Sequence, residues 1–165
     1  MKAQGPPYYG KWRGIVTDNR DPLQLGRVRA RVQNLYGVDE SGWAMPAVPY
    51  AGKDVGFFFV PPVDAWVWLE FEQGDPDYPI WTGCFWAQGE PPVLPAVPDK
   101  KVLKTDAGTI TLDDTPGAGG ITIETKVGMK IEISTQAIEI TNGQNGTIKL
   151  TGPQVSVNNG ALEVT

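Results

Sequence analysis

The side chains best suited to acid and base chemistry are three carboxylate pairs, Asp113 with Asp114, Glu70 with Glu72, and Asp75 with Asp77. Two carboxylates flanking a scissile bond can share a hydrolysis, one as acid and the other as base or nucleophile, as in glycosidases. Each pair also has a local structural use. Adjacent aspartates ahead of Thr115-Pro116-Gly117 suit a turn, Glu70 and Glu72 share one face of an alternating segment, and Asp75 and Asp77 bracket a proline. Catalysis is therefore not expected; it would require Asp113 or Asp114 to be essential. The chain has no histidine, which removes the usual general base and the commonest metal ligand. Its single cysteine, Cys84, has no intrachain partner and no CxxC-type neighbour for zinc, and between Gly83 and Phe85 it is expected to be a packed thiol. Gly117 to Gly120 lacks the Lys and Ser or Thr of a phosphate loop and reads as a flexible corner. Neither a cofactor nor a metal is expected.

The remaining charged feature is a binding element. Gly26 to Val32 reads Gly-Arg-Val-Arg-Ala-Arg-Val, so period-2 alternation puts Val28, Ala30 and Val32 on one face and Arg27, Arg29 and Arg31 on the other. The basic face is either solvated or docks on an acidic partner surface. Nucleic acid is an unlikely match, because 14 basic against 19 acidic residues leave a net charge of -5. The first ten residues contain one Lys and no apolar stretch of signal-peptide length, and no run of about 18 apolar residues occurs anywhere. The chain is expected to be made in the cytoplasm and not to span a bilayer as a helix.

Two segments of different grammar hold these residues. All the Trp, Tyr and Phe residues lie between Tyr8 and Trp86, and none follows. Strand candidates there are Lys11 to Asp18, Gly26 to Val32, Trp43 to Val48, Val55 to Val60, Ala65 to Glu72 and Tyr78 to Trp86, separated by turn residues. Five or six short strands in so short a span point to a small closed barrel over residues 1–88. Pro91, Pro92, Pro95 and Pro98 make residues 89–100 an extended connector.

Residues 101–165 repeat a simpler rule. Aliphatic pairs separated by one polar residue recur as Ile110 and Leu112, Ile121 and Ile123, Ile131 and Ile133, Ile138 and Ile140, Ile148 and Leu150, Val155 and Val157, and Leu162 and Val164. Glycine-rich corners fall between them, so each unit is one short strand and one turn. A single ribbon of this kind leaves its apolar face in water. Three copies about one axis would bury that face and cover the strand edges; a single-chain solenoid or small sandwich is the alternative.

The run from Phe59 to Gly83, with Pro61-Pro62, then Trp66-Val67-Trp68-Leu69-Glu70-Phe71-Glu72, then Gly74-Asp75-Pro76 and Pro79-Ile80-Trp81-Thr82-Gly83, resembles the OB-fold domain of phage baseplate spike proteins and of the valine-glycine repeat spikes of type VI secretion. Asp21-Pro22, Leu25-Gly26-Arg27-Val28 and Trp43-Ala44 match the order of that family. The resemblance implies an all-β homotrimer: an N-terminal OB-fold barrel followed by a short intertwined triple-stranded β-helix that pierces the target envelope. It further implies a barrel motif at Trp66, Trp68, Phe71, Gly74, Asp75 and Pro76, and a needle core of Ile121, Ile123, Ile131, Ile133, Ile138, Ile140, Ile148, Leu150, Val155 and Val157. Arg27, Arg29 and Arg31 become candidates for docking on a hub. Some members insert a lysozyme domain where this chain has only the connector, and some carry apical iron-binding histidines that are absent here. The chain begins on the barrel, so a separate ring-shaped hub protein is expected, with a tip cone protein as a possible cap and transient contact with the target membrane. The location implied is a virion tail baseplate or an extracellular injection particle. A ligand-binding OB module for oligonucleotide or glycan, with a β-rich oligomerisation tail, is the competing reading. Against it, the aromatics Trp66, Trp68 and Phe71 fall in a strand that reads as core.

Overall fold

The computed structural model describes residues 7–37 and 39–164, which fall into two units divided between Glu90 and Pro91. The first contains β1 (Trp12–Asp18), β2 (Arg29–Arg31), a single helical turn α1 (Gln33–Tyr36), β3 (Met45–Pro46), β4 (Ala51–Gly52), β5 (Val55–Gly56), β6 (Trp66–Phe71) and β7 (Pro79–Phe85). Five of these strands form one sheet in the order β2-β1-β6-β7-β3, antiparallel except that β3 runs parallel to β7. The ends of the sheet meet. Val28, just before β2, and Ala44, just before β3, exchange backbone hydrogen bonds of 2.8 and 3.3 Å. Closure into a barrel leaves no long free edge.

Alternation decides what fills the barrel. Val16 of β1, Val28, Ala30 and Val32 around β2, Val67, Leu69 and Phe71 of β6, Trp81 of β7 and Ala44 form the buried core. Gly14 occupies an inward position of β1 because Leu69 takes the space: a Cβ there would lie 2.5 Å from Leu69 Cδ1. The indole of Trp81 spans the core and donates to Gly26 O at 3.1 Å, which satisfies a buried N–H.

Two expectations are corrected. The strand expected over Val55 to Val60 stops at Gly56, where β4 and β5 make a separate two-stranded hairpin. Phe57, Phe58 and Phe59 leave it and stay 55, 72 and 55% exposed. Three consecutive phenylalanines offer no polar face, so alternation cannot place them on a barrel wall. Cys84 is exposed rather than packed. Trp68 opposes Gly83 whereas Leu69 opposes Trp81, so a bulge at Thr82 breaks the alternation of β7 before Cys84.

The second unit is one sheet of eight strands: β8 (Lys100–Lys104), β9 (Gly108–Asp113), β10 (Gly120–Thr125), β11 (Lys130–Ser134), β12 (Ile138–Thr141), β13 (Thr147–Thr151), β14 (Gln154–Val157) and β15 (Leu162–Val164). Each pairs antiparallel with the next. The hydrogen bonds of this sheet are thus made within one chain. Tight turns set the register; between β14 and β15 Asn158, Asn159 and Gly160 all take positive φ, a conformation these two residue types tolerate best.

Candidate functional site

The second unit presents a large binding surface. Its register aligns the aliphatic pairs into two continuous rows. One runs Leu112, Ile121, Ile133, Ile138, Leu150, Val155, Val164, and the other Leu103, Ile110, Ile123, Ile131, Ile140, Ile148, Val157, Leu162. Between them on the opposite face run Thr111, Thr122, Glu132, Glu139, Lys149 and Ser156. Every Ile from Ile110 to Ile148 in these rows is 38 to 45% exposed in the single chain. A monomer seldom shows so long a contiguous apolar face, so this face is built to be covered. The polar face needs no cover. Lys130 pairs with Glu132 at 2.6 Å and Lys149 with Glu139 at 3.7 Å, at the surface.

In the first unit the arginine stripe lies on the outer face, as alternation requires, but two of its members are engaged by the barrel's own side chains. Arg27 donates to Asp21 through Nε at 3.0 Å and Nη2 at 2.5 Å. The Asp21 side chain is only 3% exposed, and it also accepts from the backbone N–H groups of Leu23, Leu25 and Arg27. Arg29 donates to Glu40 at 2.6 Å, and Glu40 accepts from Thr17 at 2.8 Å. The guanidinium groups of Arg27 and Arg29 sit 5.5 and 4.9 Å from the Trp43 ring centroid, in cation–π range. Arg31 is exposed and makes no ion pair among the described residues.

These partners set the pH response. The Arg27 guanidinium first, then the three backbone N–H groups, hold the Asp21 carboxyl well below the usual carboxylate range, against the opposing effect of burial. Glu40 is lowered by Arg29 and then Thr17. A carboxylate whose folded-state pKa is depressed stabilises the fold above its unfolded value, about 3.9 for Asp, and loses that contribution as pH falls towards the folded value. The barrel's melting temperature is expected to hold steady down to about pH 4 and to drop below it. Asp21→Ala should lower the neutral-pH value and flatten this acid-side decline, which a thermal melt series from neutral pH into strong acid measures.

Residues of the barrel motif separate into two roles. Val67, Leu69 and Phe71 point inward, whereas Trp66 and Trp68 stand half-buried on the outside, against Phe85 at 5.6 and 4.7 Å. The reading of Trp66 and Trp68 as core is corrected, since the smaller aliphatics fill the barrel. Arg13 lies 5.6 Å over the Trp68 ring. Together with Lys11, Trp12, Ile15, Arg31 and Trp66, these side chains line an open groove of about 1170 Å³. Gly74, Asp75 and Pro76 turn the chain from β6 to β7. Gly74, at φ 80°, is buried where a Cβ would meet Pro7 at 2.8 Å, and Asp75 Oδ1 accepts from the Asp77 N–H at 3.0 Å.

The carboxylates weighed for catalysis are spread over structural tasks. Asp113 accepts from the N–H and hydroxyl of Thr115, which lower its pKa. Asp114 pairs with Lys101, and Glu70 pairs with Lys11 at 2.9 Å. Gly117 to Gly119 continue the same turn, with Gly119 N–H donating to Thr115 O at 2.7 Å. Among the described residues no cluster could hold a metal ion, and no helix is long and apolar enough to cross a membrane.

Comparison with known families divides the chain as its two units do. Residues 12–86 match the model described as the type VI secretion system/phage-baseplate injector OB domain, and residues 100–163 match the phage baseplate V C-terminal trimerisation domain. No curated protein matches the chain.

Proposed function

Because the chain belongs to the phage baseplate and type VI secretion spike family, with an OB domain followed by a C-terminal trimerisation domain, we propose that it is the central spike of a contractile tail or injection machine. It acts mechanically, piercing the target envelope without making or breaking a bond. The observation that carries this reading is the pair of unbroken aliphatic rows along the C-terminal sheet. Three copies bring six such rows to one axis, giving the needle an apolar centre and a polar exterior.

In this reading residues 1–88 form the barrel, 89–100 the connector and 101–165 the needle. The barrel docks on a separate ring-shaped hub protein, with the strand bearing Arg27, Arg29 and Arg31 as its contact. Asp21 and Glu40 neutralise the first two arginines and Trp43 stacks on them, so Arg31 is the uncompensated charge this strand offers to an acidic surface. A tip cone protein caps the C-terminal end of the needle, membrane contact is transient, nucleic acid is not a partner, and the spike works in a virion tail or secreted particle. The test is incorporation into purified particles. Arg31→Glu, which reverses an exposed charge without touching the core, should reduce spike occupancy in particles while leaving the trimer intact. Particles lacking the chain should lose killing or delivery. Wild-type occupancy of Arg31→Glu would remove the docking assignment, and full activity without the chain would remove the spike. Asp113→Asn should leave delivery unchanged; its loss would reopen the enzymatic reading.

A further inference from the structure

We infer that the aromatic hairpin of one barrel inserts into the tryptophan-lined groove of the next barrel of the same trimer. This rests on the trimeric reading, and deepens it by giving the barrels an interface of their own.

A closed three-fold ring needs two different complementary patches on each subunit, because its contacts are heterologous. The barrel has two exposed apolar features. The first is the β4–β5 hairpin and its continuation, where Tyr50, Val55, Phe57, Phe58 and Phe59 are all more than half exposed and Phe57 stacks on Phe59 at 6.2 Å. This patch adjoins Leu25 and Gly26 ahead of β2, Pro46 of β3 and Trp81 of β7. The second is the groove over β1, with Ile15, Trp66, Trp68 and Arg13. Around the closed barrel the strands run β1, β6, β7, β3, β2. The groove lies over β2, β1 and β6 and the hairpin patch beside β3, β7 and the segment entering β2, so the two features occupy different faces of the barrel. That is the placement a ring requires.

Size and chemistry agree. A groove of about 1170 Å³ takes several aromatic side chains, and its walls offer indole faces and a guanidinium already in cation–π geometry, which favour aromatic guests. The hairpin tip carries Lys53 beside Asp54 and so brings no net charge to Lys11 and Arg13. Arg31 lies in the groove's β2 wall, which continues through Gln33 and Asn34, so the contact is continuous with the proposed hub surface. A modest intrinsic affinity suffices. The C-terminal trimer holds three barrels on connectors, residues 89–100, that extend at most about 43 Å, and tethering on that scale gives millimolar effective concentration.

The experiment uses the full chain with Cys84→Ser, Phe58→Cys and Arg13→Cys. Mild oxidation should give covalently linked trimers on a denaturing gel without reductant, while each single-cysteine chain stays uncrosslinked. Maleimide should label the Phe58→Cys chain about tenfold more slowly in the trimer than in a monomeric Ile133→Asp background, as expected for a site reached only by local opening. Equal labelling rates and no crosslinks, with trimeric mass retained, would overturn the inference and leave the trimer standing. Protection without crosslinking would assign the hairpin to a different surface and overturn it as well. A monomeric mass would instead remove the reading on which it rests.

Discussion

Aspartate in place of Ile133 is expected to abolish the trimer. Ile133 sits near the middle of one aliphatic row, between Ile121 and Ile138, and is 41% exposed in the single chain. Completing its burial is a fraction of the 1.5 to 3 kcal/mol, roughly, that a fully buried aliphatic contributes, yet three-fold symmetry repeats the loss in each copy. The electrostatic penalty is greater. Three carboxylates would converge on an apolar axis, and each desolvated charge costs several kcal/mol. The variant should run as a monomer or aggregate through its uncovered face. Ile133→Val, costing about 0.5 to 1.5 kcal/mol per chain, should stay trimeric. Glu132→Ser, on the opposite face and removing only the exposed pair with Lys130, should also stay trimeric, since such pairs contribute about 0–1 kcal/mol. Sedimentation velocity of the three variants separates loss of the apolar face from loss of strand structure.

Leu69→Ala is expected to unfold the barrel at lower temperature while the trimer survives. Leu69 is fully buried among Val16, Ala30 and Val67, and truncating such a leucine costs about 2 to 5 kcal/mol. That is a large share of a small domain's stability. The C-terminal sheet has its own hydrogen bonds and its own partners, so its melting transition should not move. Gly14 supplies a sharper check. Gly14→Ala alone places a Cβ 2.5 Å from Leu69 Cδ1 and should destabilise by overpacking, about 1 to 3 kcal/mol. With Leu69→Ala the same methyl enters the vacated space, so the double variant should be more stable than the sum of the single losses. Differential scanning calorimetry of the four chains reads both effects.

Alternation made much of this molecule legible from its residues. Val28, Ala30 and Val32 are buried as their spacing requires, and the Ile and Leu pairs of the second unit lie in register across every strand. Alternation fixes which residues share a face, however, and not which face turns inward when both are apolar. In β6, Trp66 and Trp68 oppose Val67 and Leu69, and with Trp81 and Phe71 already filling the interior the tryptophans of β6 turn out. The bulge at Thr82 that exposes Cys84 depends on pairing with β6 and leaves no local pattern. The Asp21–Arg27 pair was within reach, because an aspartate opening a turn six residues before an arginine can satisfy both the turn and the guanidinium. Glu40 meeting Arg29 depended on closure after α1. The hairpin was missed because a strand was expected where three phenylalanines face solvent, and the groove because Trp66 and Trp68 were read as core.

The central claim is that the aliphatic face of the second unit is covered by two further copies of the same chain. Multi-angle light scattering of the full chain, eluted from a sizing column at low micromolar concentration, tests it most directly. The account predicts one species of about three times the 17.9 kDa chain mass, unchanged on dilution. A stable species of one chain mass, with the C-terminal sheet still folded by circular dichroism, would contradict it.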